Sequence, residues 1–143
     1  MDDIFEKINI KTLIDAANEC AKGVRWKESV TQWMFNVNEN CSKLINEIKS
    51  NQYKLSPYFV FHLNDKKPRL IHSTKFRDRV VQRAICDNGL YEQITKPLIY
   101  ENGACLNNKG ISFSIELVEK HLRKYFFKNQ RRTNQGYFLK LDI

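Results

Sequence analysis

Tyr58-Phe59-Val60-Phe61-His62-Leu63, then Asn64-Asp65-Lys66-Lys67, then Pro68-Arg69-Leu70-Ile71-His72 is the stretch that decides the fold class. The first run is rich in aromatic and β-branched residues and reads as a strand starting after Pro57. The polar quartet is a turn. The second run returns as a strand, with Pro68 confined to a strand start or an edge because it has no N–H to give. A hairpin is therefore expected here.

Helical periodicity flanks it on both sides. Upstream, Ile10, Leu13, Ile14, Ala17 and Cys20 or Ala21 share one side of a helix over 10–22, with Gly23 as its C-cap. A longer helix is predicted over 27–50, where Val30, Trp33, Met34, Val37, Cys41, Leu44, Ile45 and Ile48 form a core stripe. Trp33 and Met34 are read as packing residues. Downstream, Phe76, Val80, Val81, Ala84, Ile85 and Tyr91 give a helix over 76–93, with Arg79 and Arg83 on another face beside Gln82. Pro97 stops it. Residues 96–110 form a long loop around Gly103 and Gly110, a length that in a compact domain is usually functional. A last helix is predicted over 112–128, with Ile115, Val118, Leu122 and Phe126 facing inward. A strand is expected from Tyr137. The fold class is α+β and mostly helical, divided into a helical region 1–56, a hairpin–helix–loop–helix region 57–135 and the start of a further sheet at 136–143.

Charge narrows the possible partners. The 143 residues carry a net charge of +8, unevenly spread. Residues 1–22 are net −2 and residues 65–83 net +5, while 120–132 hold six bases and no acid. Two separated basic segments suit a polyanion. In the first, the bias toward arginine favours phosphate, because a planar fork matches phosphate oxygens. No apolar run approaches a membrane span and Met1-Asp2-Asp3 does not begin a signal peptide. Cys20, Cys41, Cys86 and Cys105 lack any Cys-x-x-Cys spacing, and His62, His72 and His121 show no ligand spacing with them. Reduced thiols in a cytoplasmic protein, without a zinc site, are expected.

Three blocks carry a resemblance. Lys67-Pro68-Arg69-Leu70-Ile71 is followed by Phe76-Arg77-Asp78-Arg79-Val80-Val81-Gln82-Arg83-Ala84-Ile85. Next comes Asn102-Gly103-Ala104-Cys105-Leu106-Asn107-Asn108-Lys109-Gly110-Ile111-Ser112, and then Phe138-Leu139-Lys140-Leu141-Asp142-Ile143. In this order, over residues 66–143, the chain resembles bacterial reverse transcriptases of the group II intron, retron and diversity-generating-retroelement kind. Many relatives have Phe-Arg where this chain has Cys105-Leu106, so that arginine's template contact is not carried over.

The resemblance implies the fingers and the first palm strand of an RNA-directed DNA polymerase, with Asp142 catalytic and Asp142 and Ile143 at the Mg2+ site. It implies that Lys67 and Arg69 hold the dNTP triphosphate. Arg77, Arg79 and Gln82, with Lys109 and Gly110 of the glycine loop, would approach the template or the backbone phosphate. The partners would be RNA template, DNA primer and dNTP. The Tyr-x-Asp-Asp motif and the thumb are not in this sequence, so the chain is expected to be the inactive front piece of a larger enzyme.

The chemistry agrees with those residue types. Nucleotidyl transfer asks protein for carboxylates on magnesium and cations on the triphosphate, and little else. Asp78 also has a plainer reading, as a brace paired with a neighbouring arginine. A rival for the whole chain is a non-catalytic RNA-binding module, and a third reading makes 1–56 a helical protein-interaction domain.

Overall fold

A computed structural model describes residues 4–128, 137 and 139–141 of the chain. It divides into two units, Met1–Ile94 and Thr95–Ile143. The class is α+β and mostly helical, with one antiparallel hairpin.

In the first unit, a short turn at Ile4–Lys7 precedes α1 (Ile10–Ala21). Asn9 caps α1 reciprocally. Its Oδ1 accepts from the Thr12 N–H at 3.0 Å, and its own N–H donates to Thr12 Oγ1 at 2.9 Å. After α1, Gly23 turns the chain at φ +74°, in the region that favours glycine. Leu13, Ala16, Ala17 and Ala21 are buried on α1. Three of the four are alanines, so another helix can approach closely, and α4 (Phe76–Ile85) packs there through Val80, Val81 and Ala84. Ile10, expected on this side, is 44% exposed, because the first turn overhangs the contact.

The long helix predicted over 27–50 is two helices, α2 (Glu28–Phe35) and α3 (Val37–Lys49), broken at Asn36. The reason is local. The Asn40 side chain donates to the Trp33 carbonyl at 2.9 Å, taking the acceptor that the Val37 N–H would use in an unbroken helix. The stripe is thereby split. Val30 is buried from α2, and Cys41, Leu44 and Ile45 from α3. Trp33 packs edge-on against Phe76, ring centres 5.1 Å apart, in keeping with a packing role.

The hairpin is β1 (Phe59–Asn64) with β2 (Pro68–Ser73). Its register runs from Phe59 opposite Ser73 to Asn64 opposite Pro68. Pro68 thus occupies the first position of its strand, as its missing N–H requires.

The helix predicted over 76–93 is also interrupted. α4 ends at Ile85, and α5 (Tyr91–Thr95) follows an irregular turn in which Asn88 and Gly89 leave helical geometry. Gly89 has φ +146°. Asn88 Nδ2 donates to the Ala84 carbonyl at 2.7 Å, closing the end of α4.

The second unit contains the 96–110 loop and α6 (Ile111–Lys128). The inward face expected on α6 is not buried. Ile115, Val118, Leu122 and Phe126 are 43–55% exposed. Spacing reveals a stripe on a helix but not how much of it is covered, and this one stays about half exposed. Phe113 and Leu117, on the other side, are half-buried instead. The strand expected from Tyr137 is likewise not seen where the chain is described: Tyr137, Leu139, Lys140 and Leu141 belong to no strand and are exposed. Leu139 and Leu141 follow strand spacing, but a strand also needs a neighbour to share its hydrogen bonds. Phe138, Asp142 and Ile143 lie outside the described residues. No described helix is long and apolar enough to cross a membrane.

Candidate functional site

The tip of the hairpin is where unpaired positive charge collects. Asp65, Lys66 and Lys67 form the bend, and Asp65 Oδ1 accepts from the Lys66 N–H at 2.7 Å, which sets its shape. Lys67 lies in this bend, before β2, so strand alternation does not orient it. Arg69 is inside β2, opposite Leu63. The two meet nonetheless: Leu63, Asp65, Lys66, Lys67 and Arg69 line a hollow of about 280 Å³. Lys66, Lys67 and Arg69 are exposed. Among the described residues none of these three cations has an ion-pair partner. Lys66, Leu63 and Asp65 were not singled out from sequence. The adjacent lysine pair in a polar turn was the available signal.

Both roots of the hairpin are tied to α4. β2 runs into α4 through Thr74 and Lys75. Ahead of β1, the Tyr53 hydroxyl donates to Asp78 Oδ1 at 2.7 Å and the Ser56 N–H donates to Asp78 Oδ2 at 3.2 Å. Asp78 is fully buried. Burial pushes the Tyr53 hydroxyl well above its ordinary pKa, and its bond to the Asp78 carboxylate reinforces the shift. Asp78 is therefore a brace that ties the 53–56 segment to α4, with Arg77 beside it.

The arginines of α4 are engaged by the fold to different degrees. Arg77 Nη2 pairs with Glu47 Oε2 at 2.6 Å, its Nε lies 3.6 Å from Asp78 Oδ1, and its guanidinium covers the Tyr53 ring at 5.4 Å. Arg79 lies over the Phe76 ring at 5.5 Å. Its Nε is buried without a hydrogen-bond partner, and its carbonyl accepts from the Cys20 thiol. Arg83 pairs with Asp87 at 2.6 Å. Gln82 is exposed beside them.

In the second unit, Lys109 is clamped. Its ammonium donates to the Tyr100 carbonyl and lies over two rings, Tyr100 at 4.5 Å and Phe113 at 4.8 Å. Gly110 gives its carbonyl to the Ser114 N–H at 3.0 Å and the Ser114 hydroxyl at 3.1 Å, closing the first turn of α6. Gly103 lies so close that a Cβ there would stand 2.2 Å from Ser114 Oγ. These contacts shape an apolar hollow of about 460 Å³ lined by Gly103, Ala104, Ile111, Ile115 and Val118.

Asp142 and Ile143, the residues expected at magnesium, lie outside the described residues. Among the described residues no three His, Cys, Asp or Glu side chains gather as a metal-holding group. No protein-family model matches the chain, and no curated protein is significantly similar to it.

Proposed function

We propose that the chain is the fingers portion of an RNA-directed DNA polymerase, with the hairpin tip as its triphosphate-binding lid. One observation carries the reading. Lys67 and Arg69 line a single hollow at the tip, exposed and unpaired, whereas Arg77 and Arg83 are tied to carboxylates. Free cations around a concavity suit a polyphosphate: Arg69 offers a planar fork for two oxygens, and Lys67 adds a compact charge. Their work would be to hold the nucleotide and offset charge on the departing pyrophosphate. Asp142 would supply a carboxylate to Mg2+, the ion that activates the attacking hydroxyl. The hairpin's attachment to α4 through Asp78 gives the lid a rigid root. Within this reading Arg77 positions that root, and Gln82 is the α4 residue left open to a template.

Two measurements test the reading. The chain is titrated with an RNA–DNA hybrid at rising salt. Each backbone phosphate contact predicts a roughly threefold loss of affinity for a fourfold rise in salt. Lys67→Ala with Arg69→Ala, which the reading assigns to the triphosphate, should weaken binding of dNTP and leave the hybrid's salt dependence in place. In a protein that joins this chain to the remaining polymerase parts, primer extension on an RNA template should fall with Asp142→Ala, and Arg69→Ala should raise the KM for dNTP. Full extension activity in Asp142→Ala, or a salt-independent titration, would refute the assignment.

A further inference from the structure

We propose that the loop Lys22–Lys27, between α1 and α2, is a second nucleic-acid site that stacks an unpaired base of single-stranded RNA on Trp26. The ring is 78% exposed, an unusual state for a side chain of this size. It is also held in place. The Trp26 indole N–H donates to the Gly23 carbonyl at 3.2 Å, and the Thr31 hydroxyl donates to the Arg25 carbonyl at 2.7 Å. Gly23, at φ +74°, makes the turn that allows it. A large ring that is both fixed and exposed has already lost the conformational freedom that binding would otherwise remove.

Positive charge adjoins this ring. The Lys27 ammonium lies 5.3 Å from the ring centre, over one face. Arg25 is exposed and has no ion-pair partner among the described residues. The neighbouring acids are turned elsewhere: Glu19 pairs with Lys22, and Glu28 accepts from the Gln32 side chain at 3.0 Å. An exposed ring with the Lys27 ammonium on one face and the unpaired Arg25 next to it in sequence matches a base stacked on the open face and its flanking phosphates. An acidic peptide would use the cations but leave the ring idle. A membrane surface asks for more apolar insertion than one ring supplies. In a duplex the base faces are covered by their neighbours, so the partner is unpaired.

The site stands apart from the hairpin and does not depend on the polymerase reading. Its test uses the chain's two tryptophans, of which Trp33 is the internal reference, half-buried against Phe76. Intrinsic fluorescence of the full chain is followed during titration with a roughly 10-nucleotide oligouridylate, the matching RNA duplex, and phosphatidylserine–phosphatidylcholine vesicles. The oligouridylate should quench the exposed tryptophan. Read by the anisotropy of a fluorescein-labelled oligouridylate, because these variants lack the reporter ring, Trp26→Ala should bind about tenfold more weakly and Trp26→Phe within about threefold of the wild type, since a smaller ring still stacks. Arg25→Ala should lower the salt slope by about one. Lys67→Ala with Arg69→Ala should leave the quenching in place. Because the side chain is exposed, the variants should keep their helical circular dichroism. Should Trp26→Ala unfold, the Trp26→Phe and Arg25→Ala responses decide alone. Absence of quenching by oligouridylate, equal response to duplex, response to vesicles only, or unchanged affinity in folded Trp26→Ala would each overturn the proposal.

Discussion

Replacing Asp78 with alanine should cost more stability than any surface substitution in this chain. The carboxylate is fully buried and accepts from the Tyr53 hydroxyl at 2.7 Å and the Ser56 N–H at 3.2 Å, with Arg77 Nε 3.6 Å away. A hydrogen bond to a charged group contributes about 1.5–3 kcal/mol, and two are lost. Removing Asp78 also strands the partners, which keep their desolvation cost without a bond. The truncation should therefore cost about 3–5 kcal/mol, the range for breaking a buried charged network. Asp78→Asn keeps one oxygen to accept from Tyr53 but gives up the charge, and should cost about 1–3 kcal/mol. Tyr53→Phe removes a single bond, and together with Asp78→Asn it should show a coupling of about 1 kcal/mol in a double-mutant cycle. Urea unfolding followed by far-UV circular dichroism measures the losses. Hydrogen exchange at the Ser56 amide reports separately on the root of the hairpin. A loss below about 1 kcal/mol in Asp78→Ala, with Ser56 still protected, would show that the brace does not hold that root.

Further outcomes follow from other contacts. Cys41 is fully buried, and burial pushes its thiol from the ordinary 9.0 up to about 11. The folded state therefore keeps this proton where the unfolded chain releases it. The contribution is complete below pH 9.0 and is lost as pH climbs to about 11, by on the order of 2 kcal/mol, and Cys41→Ala should not show that share of the decline in urea midpoints. Thiol alkylation read by mass spectrometry should modify the exposed Cys86 and Cys105 well before Cys41, and rapid labelling of Cys41 would contradict the packing of α3. Gly103→Ala should displace the Ser114 hydroxyl from the Gly110 carbonyl at a cost of about 1 kcal/mol. Adding Ser114→Ala should relieve that clash, and protection of the α6 amides by hydrogen exchange would show whether it does.

The sequence by itself determined the elements whose cause is local. The hairpin followed from aromatic and β-branched runs flanking a polar turn, and its register places Pro68 at a strand start, where a residue without an N–H belongs. The first helix and its glycine stop were equally legible, as was the packing role of Trp33. The brace reading of Asp78 was also within reach, because an acid flanked by arginines at adjacent helix positions has few other uses. Two helices were read as too long. In each, an asparagine side chain beyond the break takes a carbonyl of the preceding helix, Asn40 at Trp33 and Asn88 at Ala84, and apolar periodicity does not register such a competition.

Tertiary structure alone decided which cations are free. Arg69, Arg77, Arg79 and Arg83 are alike as letters in a basic segment. Folding brings Glu47 from α3 and Tyr53 from the following loop onto Arg77, whereas Arg83 meets Asp87 locally, four residues on. Lys67 and Arg69 line a hollow at the hairpin tip in which Asp65 is the one acid among the described residues. The same holds for apolar faces: α1 and α6 both carry a stripe, yet α4 covers the first while the second stays about half exposed. Spacing along a helix or strand is a short-range property of the chain. Whether a charge is neutralised or a face is covered depends on which distant residue arrives there, and that is set by packing.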